Sequence, residues 1–243
     1  MEKRYLFYTF KIYVVCICFS VCIYAIYSLF SIINTNAGGY RATSAATEFC
    51  VVIDPGHGGI DGGATSSEGI LEKDLNLALS LSLSDYLYAC GVRNVLTRSE
   101  DSLACDENDP AIKGKIKLTD LKNRLKIAES NPCSVFVSIH MNKFPIRKYR
   151  GLQVYYSKNN IGSELLAKTV QENIVAKLQP ENTRKTKAAG SNIFLLDRIT
   201  LPAVLIECGF LSNESEAKLL STDGYRRKLS MIIAESIIQY NNN

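Results

Sequence analysis

The feature that most constrains this chain is residues 50–64, an apolar run that stops at a loop rich in glycine. Residues 50–53 are typical of a buried strand, which the turn of residues 54–56 ends. Five glycines lie between residues 56 and 63, and glycine lets a backbone adopt positive φ and approach a ligand closely. His57 lies in this loop, and His140 is the only other histidine in the sequence. The loop is therefore the first candidate for a functional site.

The glycine loop lacks the signatures of nucleotide binding. A dinucleotide fingerprint needs G-x-G-x-x-G, but Asp61 stands where the third glycine is required, and the G-K-[ST] of a phosphate loop is absent. Loops at strand ends commonly hold binding residues, which favours a loop that presents His57 to a metal ion. A turn with a solvated histidine is the structural alternative.

The first 47 residues predict a membrane anchor and a tether ahead of one domain. Residues 1–11 form a basic flank, and residues 12–33 contain no charged residue. At about 1.5 Å per residue such a helix spans roughly 33 Å, enough to cross a bilayer. The basic flank predicts a cytoplasmic N-terminus and a domain outside the cytoplasm, whereas cleavage within residues 34–39 would release a secreted domain. Residues 34–47 are then expected to form the tether, and residues 48–243 the folded domain.

Composition narrows the class of partner. The net charge is only +4, and no basic stripe is interleaved with aromatic residues, which excludes a nucleic-acid-binding protein. Three of the 8 cysteines lie in the apolar N-terminal segment, and those of the domain lack C-x-x-C spacing, which excludes a cysteine zinc cluster. We expect Cys50, Cys133 and Cys208 to be small buried residues beside strands.

Strand and helix signals alternate along the domain. Helices are predicted over residues 71–88, 118–129, 163–178 and 224–240, and strands over residues 50–53, 92–97, 135–139, 151–156, 193–196 and 203–206. This pattern predicts an α/β fold, a mostly parallel, mixed and twisted sheet of about six strands with helices on both faces, preceded by one N-terminal transmembrane helix. In such sheets ligand sites gather beyond the carboxyl ends of the strands.

That rule places several polar residues at one edge of the sheet. His57, His140 and Glu207 each follow a predicted strand, and Glu72 opens the helix after the glycine loop. Two imidazoles, a carboxylate and an open position are typical of a catalytic zinc site, and a second carboxylate can act as general base. Taken singly, Glu72 could instead be a helix-cap carboxylate, and Glu207 a salt-bridged strand terminus.

Four ordered segments resemble the zinc-dependent N-acetylmuramoyl-L-alanine amidases of the amidase type 3 family. They are VVIDPGHGGIDGGA at 51–64, EKDLNLALS at 72–80, SIHMN at 138–142 and PAVLIECGFLSN at 202–213. The resemblance implies that His57, Glu72 and His140 are zinc ligands and that Glu207 is the catalytic carboxylate. It further implies that the substrate is peptidoglycan, cleaved between muramic acid and the first alanine of the stem peptide.

The resemblance also reaches residues 96–101 and 123–128, which makes Arg98 and Arg124 candidates for substrate contacts. Salt bridges from Arg98 or Arg124 to Asp101 or Glu129 are the structural alternative. Asn142 is a further candidate for holding a ligand or the substrate, although an asparagine in a loop often only forms a turn.

The simple layout resembles the amidases that form muramic lactam in spore cortex. A helper protein that holds zinc or substrate is consistent with this resemblance. The alternatives are a vegetative amidase for cell separation, a zinc peptidase that cleaves within the stem peptide, and a membrane-tethered wall-binding protein with an inactive site.

Overall fold

The computed structural model describes residues 49–106, 114–132 and 134–242, together with Val21, Ile23 and Tyr24. The chain divides into two units, Met1–Ala46 and Thr47–Asn243. The predicted basic flank and the predicted tether lie outside the described residues. Of residues 12–33, only Val21, Ile23 and Tyr24 are described, so the membrane anchor stays a prediction. Within the described part of the chain, no helix combines the length and the apolarity needed to span a bilayer.

In the described part of the second unit, six strands are interspersed with six helices. The first half comprises β1 (Cys50–Pro55), α1 (Glu72–Ala89), β2 (Arg93–Leu96), α2 (Ile116–Glu129) and β3 (Ser134–Asn142). The second half comprises β4 (Gln153–Tyr156), α3 (Gly162–Lys177), β5 (Lys187–Ala188), α4 (Phe194–Arg198), β6 (Ala203–Phe210), α5 (Glu214–Ser221) and α6 (Asp223–Asn241).

The strands form one mixed sheet in the order β2-β1-β3-β6-β4-β5. β1 runs parallel to β2 and β3, and β3 runs parallel to β6. β4 runs antiparallel to β6, and β5 is parallel to β4. The predicted α/β sheet of about six strands is confirmed. The carboxyl ends of β1, β3 and β6 meet at one edge, and because β4 runs the other way, its first residue, Gln153, lies at that edge too.

Helices cover both faces of the sheet. Side chains alternate between the faces along each strand, so Val51 and Val52 of β1 belong to different apolar clusters. The first cluster joins the sheet to α1, α3 and α6, and the second joins it to α2 and α4. Cys50 and Cys208 are buried, as predicted, whereas Cys133 lies outside the described residues.

The strand predicted over residues 193–196 is wrong, because this run leads into the short helix α4. Leu195 and Leu196 are buried in the second cluster, while Asp197 and Arg198 are exposed. A short apolar run fits a buried helical turn as well as a strand, and the sequence period alone does not separate them. The edge strand is instead Lys187–Ala188, in a segment to which no strand was assigned from the sequence.

Helix α5 is absent from the sequence prediction, although its start carries a recognisable signal. Asn213 precedes it, and its side chain accepts a hydrogen bond from the Glu216 N–H at 3.1 Å. An asparagine followed three residues later by a glutamate is a typical helix start. The Glu216 carboxylate itself turns away and accepts from the N–H groups of Gly151 and Phe210.

A buried ion pair ties α2 to the carboxyl end of β1. Arg124 donates from Nη1 to Asp54 Oδ1 and from Nε to Asp120 Oδ2, both at 2.8 Å. The hydroxyls of Thr97 and Ser138 also donate to the Asp54 carboxylate, each at 2.6 Å. Burial alone would raise the pKa of Asp54, but Arg124 and the two hydroxyls together lower it below its ordinary value. Both buried charges are therefore compensated.

We expect Asp54→Asn to lower the free energy of unfolding by about 3 to 5 kcal/mol, because it leaves the Arg124 charge buried without its main partner. Urea denaturation measures the change. Glu164→Gln, which removes an exposed ion pair with Lys168 at 2.8 Å, serves as the control and should cost less than about 1 kcal/mol. Equal losses in the two variants would contradict the importance given to the buried pair.

The lowered pKa of Asp54 predicts that the stability of the protein depends on pH. Since the pKa of Asp54 is lower in the folded chain, its stabilising contribution is complete above the unfolded aspartate pKa of about 3.9. That contribution is lost as the pH falls through the lower folded value. Between about pH 5 and about pH 3 the free energy of unfolding, measured by urea denaturation, should fall further for the wild type than for Asp54→Asn. Parallel losses in the two proteins would show that Asp54 does not titrate in this way.

Candidate active site

Three of the predicted site residues come together where β1, β3 and α1 meet. His57 Nε2 lies 3.2 Å from Glu72 Oε1, and His140 Nδ1 lies 3.0 Å from the same oxygen. The two imidazole rings have centroids 5.0 Å apart. One ligand atom from each of the three side chains falls within 4.8 Å of the other two. The tertiary structure therefore assembles the ligand set expected from the sequence.

The spacing of these donors fits a small divalent ion. Zinc bonds of about 2.0 to 2.2 Å place tetrahedral ligand atoms roughly 3.3 Å apart, close to the observed 3.0 and 3.2 Å. Burial alone would raise the pKa of Glu72, but His140 and His57 hold it well below its usual range, so the carboxylate is ionised. Ligands must be deprotonated to bind a metal. Two imidazoles and one carboxylate also leave a fourth position for water or substrate.

Glycine is required at two positions of the loop because other side chains occupy the space beside them. A Cβ on Gly56 would lie 2.3 Å from the His140 ring. A Cβ on Gly63, which has φ of 68°, would lie 2.7 Å from Glu72 Oε2. His57 itself has φ of 61°, the one positive value of a non-glycine residue in the described chain. The glycines thus let the loop wrap closely around the ligand set.

Arg98 and Arg124 lie beneath the loop and bind its backbone. Arg98 donates to the carbonyls of Pro55 and Gly56 at 2.9 and 3.0 Å, and Arg124 donates to those of Pro55 and His57, both at 2.7 Å. Only 4% of Arg98 and 1% of Arg124 is exposed. These contacts favour the structural role over the substrate contact that the sequence also allowed.

The partners predicted for that structural role are wrong. Among the described residues, Arg98 forms no ion pair with Asp101, and Arg124 pairs with carboxylates other than Glu129. Asp101 instead accepts from the Gly59 N–H at 2.9 Å and from Lys73 Nζ at 2.6 Å. Asp101 therefore also supports the glycine loop, through Gly59 and Lys73.

Further groups orient the ligand side chains. Glu72 accepts from the Met141 N–H at 3.0 Å through Oε1 and from the Ala64 N–H at 2.7 Å through Oε2. Asp61 Oδ2 lies 3.0 Å from His57 Nδ1, the ring nitrogen that faces away from Glu72, as an ion-pair contact without hydrogen-bond geometry. A carboxylate behind a metal-binding histidine fixes the orientation of its ring. Sequence reasoning missed Asp61, although its spacing of four residues from His57 was available as a signal.

Glu207 lies beside the ligand set. β3 and β6 extend beyond their predicted ends, so Glu207 and His140 face each other within neighbouring strands rather than after them. Burial has the largest influence on Glu207, and its pKa is raised to about 7. Its Oε2 atom is buried and has no hydrogen-bond partner among the described residues. A carboxylate in this state can take up and release a proton near neutral pH.

Asn142 is the last residue of β3, two positions beyond His140. Its carbonyl accepts from the Leu211 N–H at 2.8 Å, and the residue is partly exposed. Asn142 therefore lies at the edge of the sheet that carries the site. A contact between its side chain and the substrate stays a prediction.

Comparisons with known proteins agree with this geometry. The family profile described as N-acetylmuramoyl-L-alanine amidase matches residues 51–239. The germination-specific N-acetylmuramoyl-L-alanine amidase of Bacillus subtilis (strain 168) is 36% identical over 190 residues, which cover 78% of this chain and 78% of the relative.

Solved structures show the same likeness. The CwlD amidase from Clostridioides difficile, solved in complex with the GerS lipoprotein, is 38% identical with a TM-score of 0.75, covering 79% of this chain and 98% of that one. The amidase AmiC2 of Nostoc punctiforme is 30% identical with a TM-score of 0.68, covering 80% and 98% respectively.

We expect Asp61→Asn to weaken Zn²⁺ binding by about 10- to 100-fold, because the His57 ring loses the carboxylate that orients it. Competition with a chromogenic zinc chelator measures the affinity. Asp197→Asn is the matched control, since Asp197 is an exposed aspartate that is paired with Arg198 at 3.2 Å and lies in a different element. Unchanged affinity in a folded Asp61→Asn protein would rule out the orienting role.

Proposed function

Because this chain belongs to the N-acetylmuramoyl-L-alanine amidase family, we propose that it hydrolyses the bond between N-acetylmuramic acid and L-alanine in peptidoglycan with the help of zinc. The observation that carries this proposal is the position of Glu207. Its carboxylate lies opposite His140, and one of its oxygens is buried without a partner among the described residues. An acid–base group thus stands next to a set of metal ligands.

The residues that would hold zinc are His57, Glu72 and His140. Zinc bound there would supply Lewis-acid polarisation of the scissile carbonyl and of the attacking water. The protein keeps these three side chains in place through the loop glycines, the backbone N–H groups that bind Glu72, and Asp61 behind His57. The fold itself therefore holds these side chains close together.

Glu207 would perform the proton transfers. It would take a proton from the water whose oxygen attacks the carbonyl carbon, and it would give that proton to the alanine nitrogen as the carbon–nitrogen bond breaks. A pKa of about 7 suits both steps, because a group that titrates near the working pH is both a competent base and a competent acid. The products are a free lactyl carboxyl group and a stem peptide with a free N-terminal alanine.

Within the family we propose a role in spore cortex, where removal of stem peptides precedes formation of muramic lactam. The relative from Bacillus subtilis is called germination-specific, which supports this assignment. A vegetative amidase for cell separation is the alternative role. A zinc peptidase acting within the stem peptide is the alternative reaction, and it would release different products.

We also propose that the domain acts outside the cytoplasm, anchored through residues 12–33 or secreted after their cleavage. A helper protein fits this location, since the Clostridioides difficile relative was solved in complex with a lipoprotein. The helper would support zinc or substrate binding by the domain.

The test uses the full chain incubated with purified peptidoglycan from vegetative cells and from spores. Mass spectrometry should detect stem peptides that begin with a free alanine, and a zinc chelator should abolish their release. Glu207→Gln should lower turnover by at least about 100-fold, because general acid–base catalysis contributes about 10²- to 10⁴-fold. Zinc content should stay unchanged, since Glu207 is outside the ligand set.

Lys168→Gln, on the exposed surface of α3, provides the matched control and should keep full turnover. Fragments cut inside the stem peptide would favour the peptidase instead. Substantial turnover by Glu207→Gln with zinc bound would refute the assignment of Glu207 as the acid–base group.

A further inference from the structure

A groove begins at Gln153, the first residue of β4, although Glu207 itself is not part of its lining. Gln153 is paired with Glu207 across the antiparallel β4–β6 ladder, and His140 is paired with Glu207 on the other side. Directly paired residues project from the same face of a sheet. The side chains of His140, Glu207 and Gln153 therefore form a row that leads from the ligand set into the groove.

The groove has a volume of about 830 Å³ and runs between residues 148–151 and residues 178–187, with α5 along one side. Its lining is strongly basic, because five of the residues carry positive charge. These are Lys148, Arg150, Arg184, Lys185 and Lys187. None of the five forms an ion pair with a carboxylate among the described residues.

The acidic residues of the lining do not balance this charge. Glu216 is buried, and its two oxygens accept from the N–H groups of Gly151 at 2.8 Å and of Phe210 at 2.7 Å. Burial raises the pKa of Glu216, against the opposing effect of these two hydrogen bonds and of Arg184 and Arg150. Glu181 is the other acidic residue of the lining, and it is exposed. The groove thus offers a positive surface to a ligand.

Arg184 is held in position at the inner end of the groove. It donates from Nε to the Arg150 carbonyl at 2.8 Å and from Nη1 to Gln153 Oε1 at 3.3 Å. Its guanidinium lies 4.4 Å from the centroid of the Phe210 ring. Gln153 in turn donates to the Lys185 carbonyl at 2.8 Å. A guanidinium fixed in this way loses little entropy when it binds a carboxylate.

The chemistry of peptidoglycan distinguishes the two sides of the scissile amide. The lactyl carboxyl group of muramic acid is consumed in that amide, so the glycan side carries no free carboxylate there. The stem peptide on the other side carries several carboxylates. A groove of fixed positive charge that begins at Gln153, the strand partner of Glu207, therefore matches the peptide and not the sugar.

We propose that this basic groove binds the stem peptide of the substrate, with Arg184 taking a carboxylate close to the scissile bond and the lysines of the groove taking those further along. This inference rests on the proposed function, since it assumes that Glu207 marks the position of the cleaved amide. It assigns the direction of the substrate: the peptide leaves Glu207 past Gln153, and the glycan extends to the other side of the ligand set.

The test measures binding without turnover. The full, zinc-loaded chain is titrated by calorimetry with a synthetic stem tripeptide bearing free carboxylates, and with the same peptide amidated at every carboxyl group. The amidated peptide should bind at least about tenfold more weakly, and Arg184→Gln should weaken binding of the free peptide by about tenfold, as loss of a charged hydrogen bond does. Added salt should weaken binding of the free peptide.

The double variant Lys185→Gln, Lys187→Gln gives a second measurement, because both side chains are exposed and the fold does not depend on them. It should also bind the free peptide more weakly, whereas Lys168→Gln on α3 should bind it as the wild type does. A chain that binds the free peptide but does not release it from peptidoglycan would refute only the proposed function.

A chain that releases stem peptides yet binds the free and amidated forms equally would overturn the groove proposal alone. Tighter binding of poly(glycerol phosphate) than of the tripeptide would also overturn it, in favour of an anionic wall polymer. Unchanged binding by both Arg184→Gln and the double lysine variant would exclude the groove as the peptide site.

Discussion

The site depends on one buried guanidinium, that of Arg124. It joins α2 to the end of β1 through Asp54, and it reaches the glycine loop through the carbonyls of Pro55 and His57. A buried charge is tolerated only when its acceptors are in place. The loop therefore cannot leave its position without depriving this buried guanidinium of two of its acceptors. The unusual backbone of His57 is maintained by the core of the protein, before any ligand contributes.

The elements around this guanidinium contribute to the site from different directions. His57 comes from the loop after β1, His140 from β3, and Glu72 from the start of α1. The parallel arrangement of β1 and β3 brings the two histidines to one edge, and α1 supplies a carboxylate whose oxygens are already bound by backbone N–H groups. Close packing at the loop glycines is what lets three elements approach one another so closely.

The antiparallel strand gives the two sides of the site different properties. On the side of β1 the ligand set is enclosed by a tight loop and by buried arginines. On the side of β4 the reversed strand brings Gln153 next to Glu207, and a wide basic groove opens beyond it. The compact side suits a metal ion, and the open side suits an extended, negatively charged chain. The pairing of β4 with β6 thus relates the chemistry of Glu207 to the surface that would recognise the substrate.

The sequence by itself determined the α/β class, the placement of His57, His140 and Glu207 toward one edge of the sheet, and the family resemblance. These follow from local signals: apolar runs, glycines and helix starts are read within a few residues. Whether a short apolar run such as residues 193–196 is a strand or a helical turn depends on what it packs against, so only the tertiary structure decided it.

Only the tertiary structure decided the roles of four further charged residues, Arg98, Arg124, Asp61 and Arg184. A charged side chain looks alike in sequence whether it supports a loop, orients a ligand or lines a groove. Its role depends on burial and on partners that are distant along the chain, as with Arg124 and Asp54, 70 residues apart. Local pattern therefore indicated which residues form the candidate site, and the packing of distant segments decided how they are held and which side of the site is open.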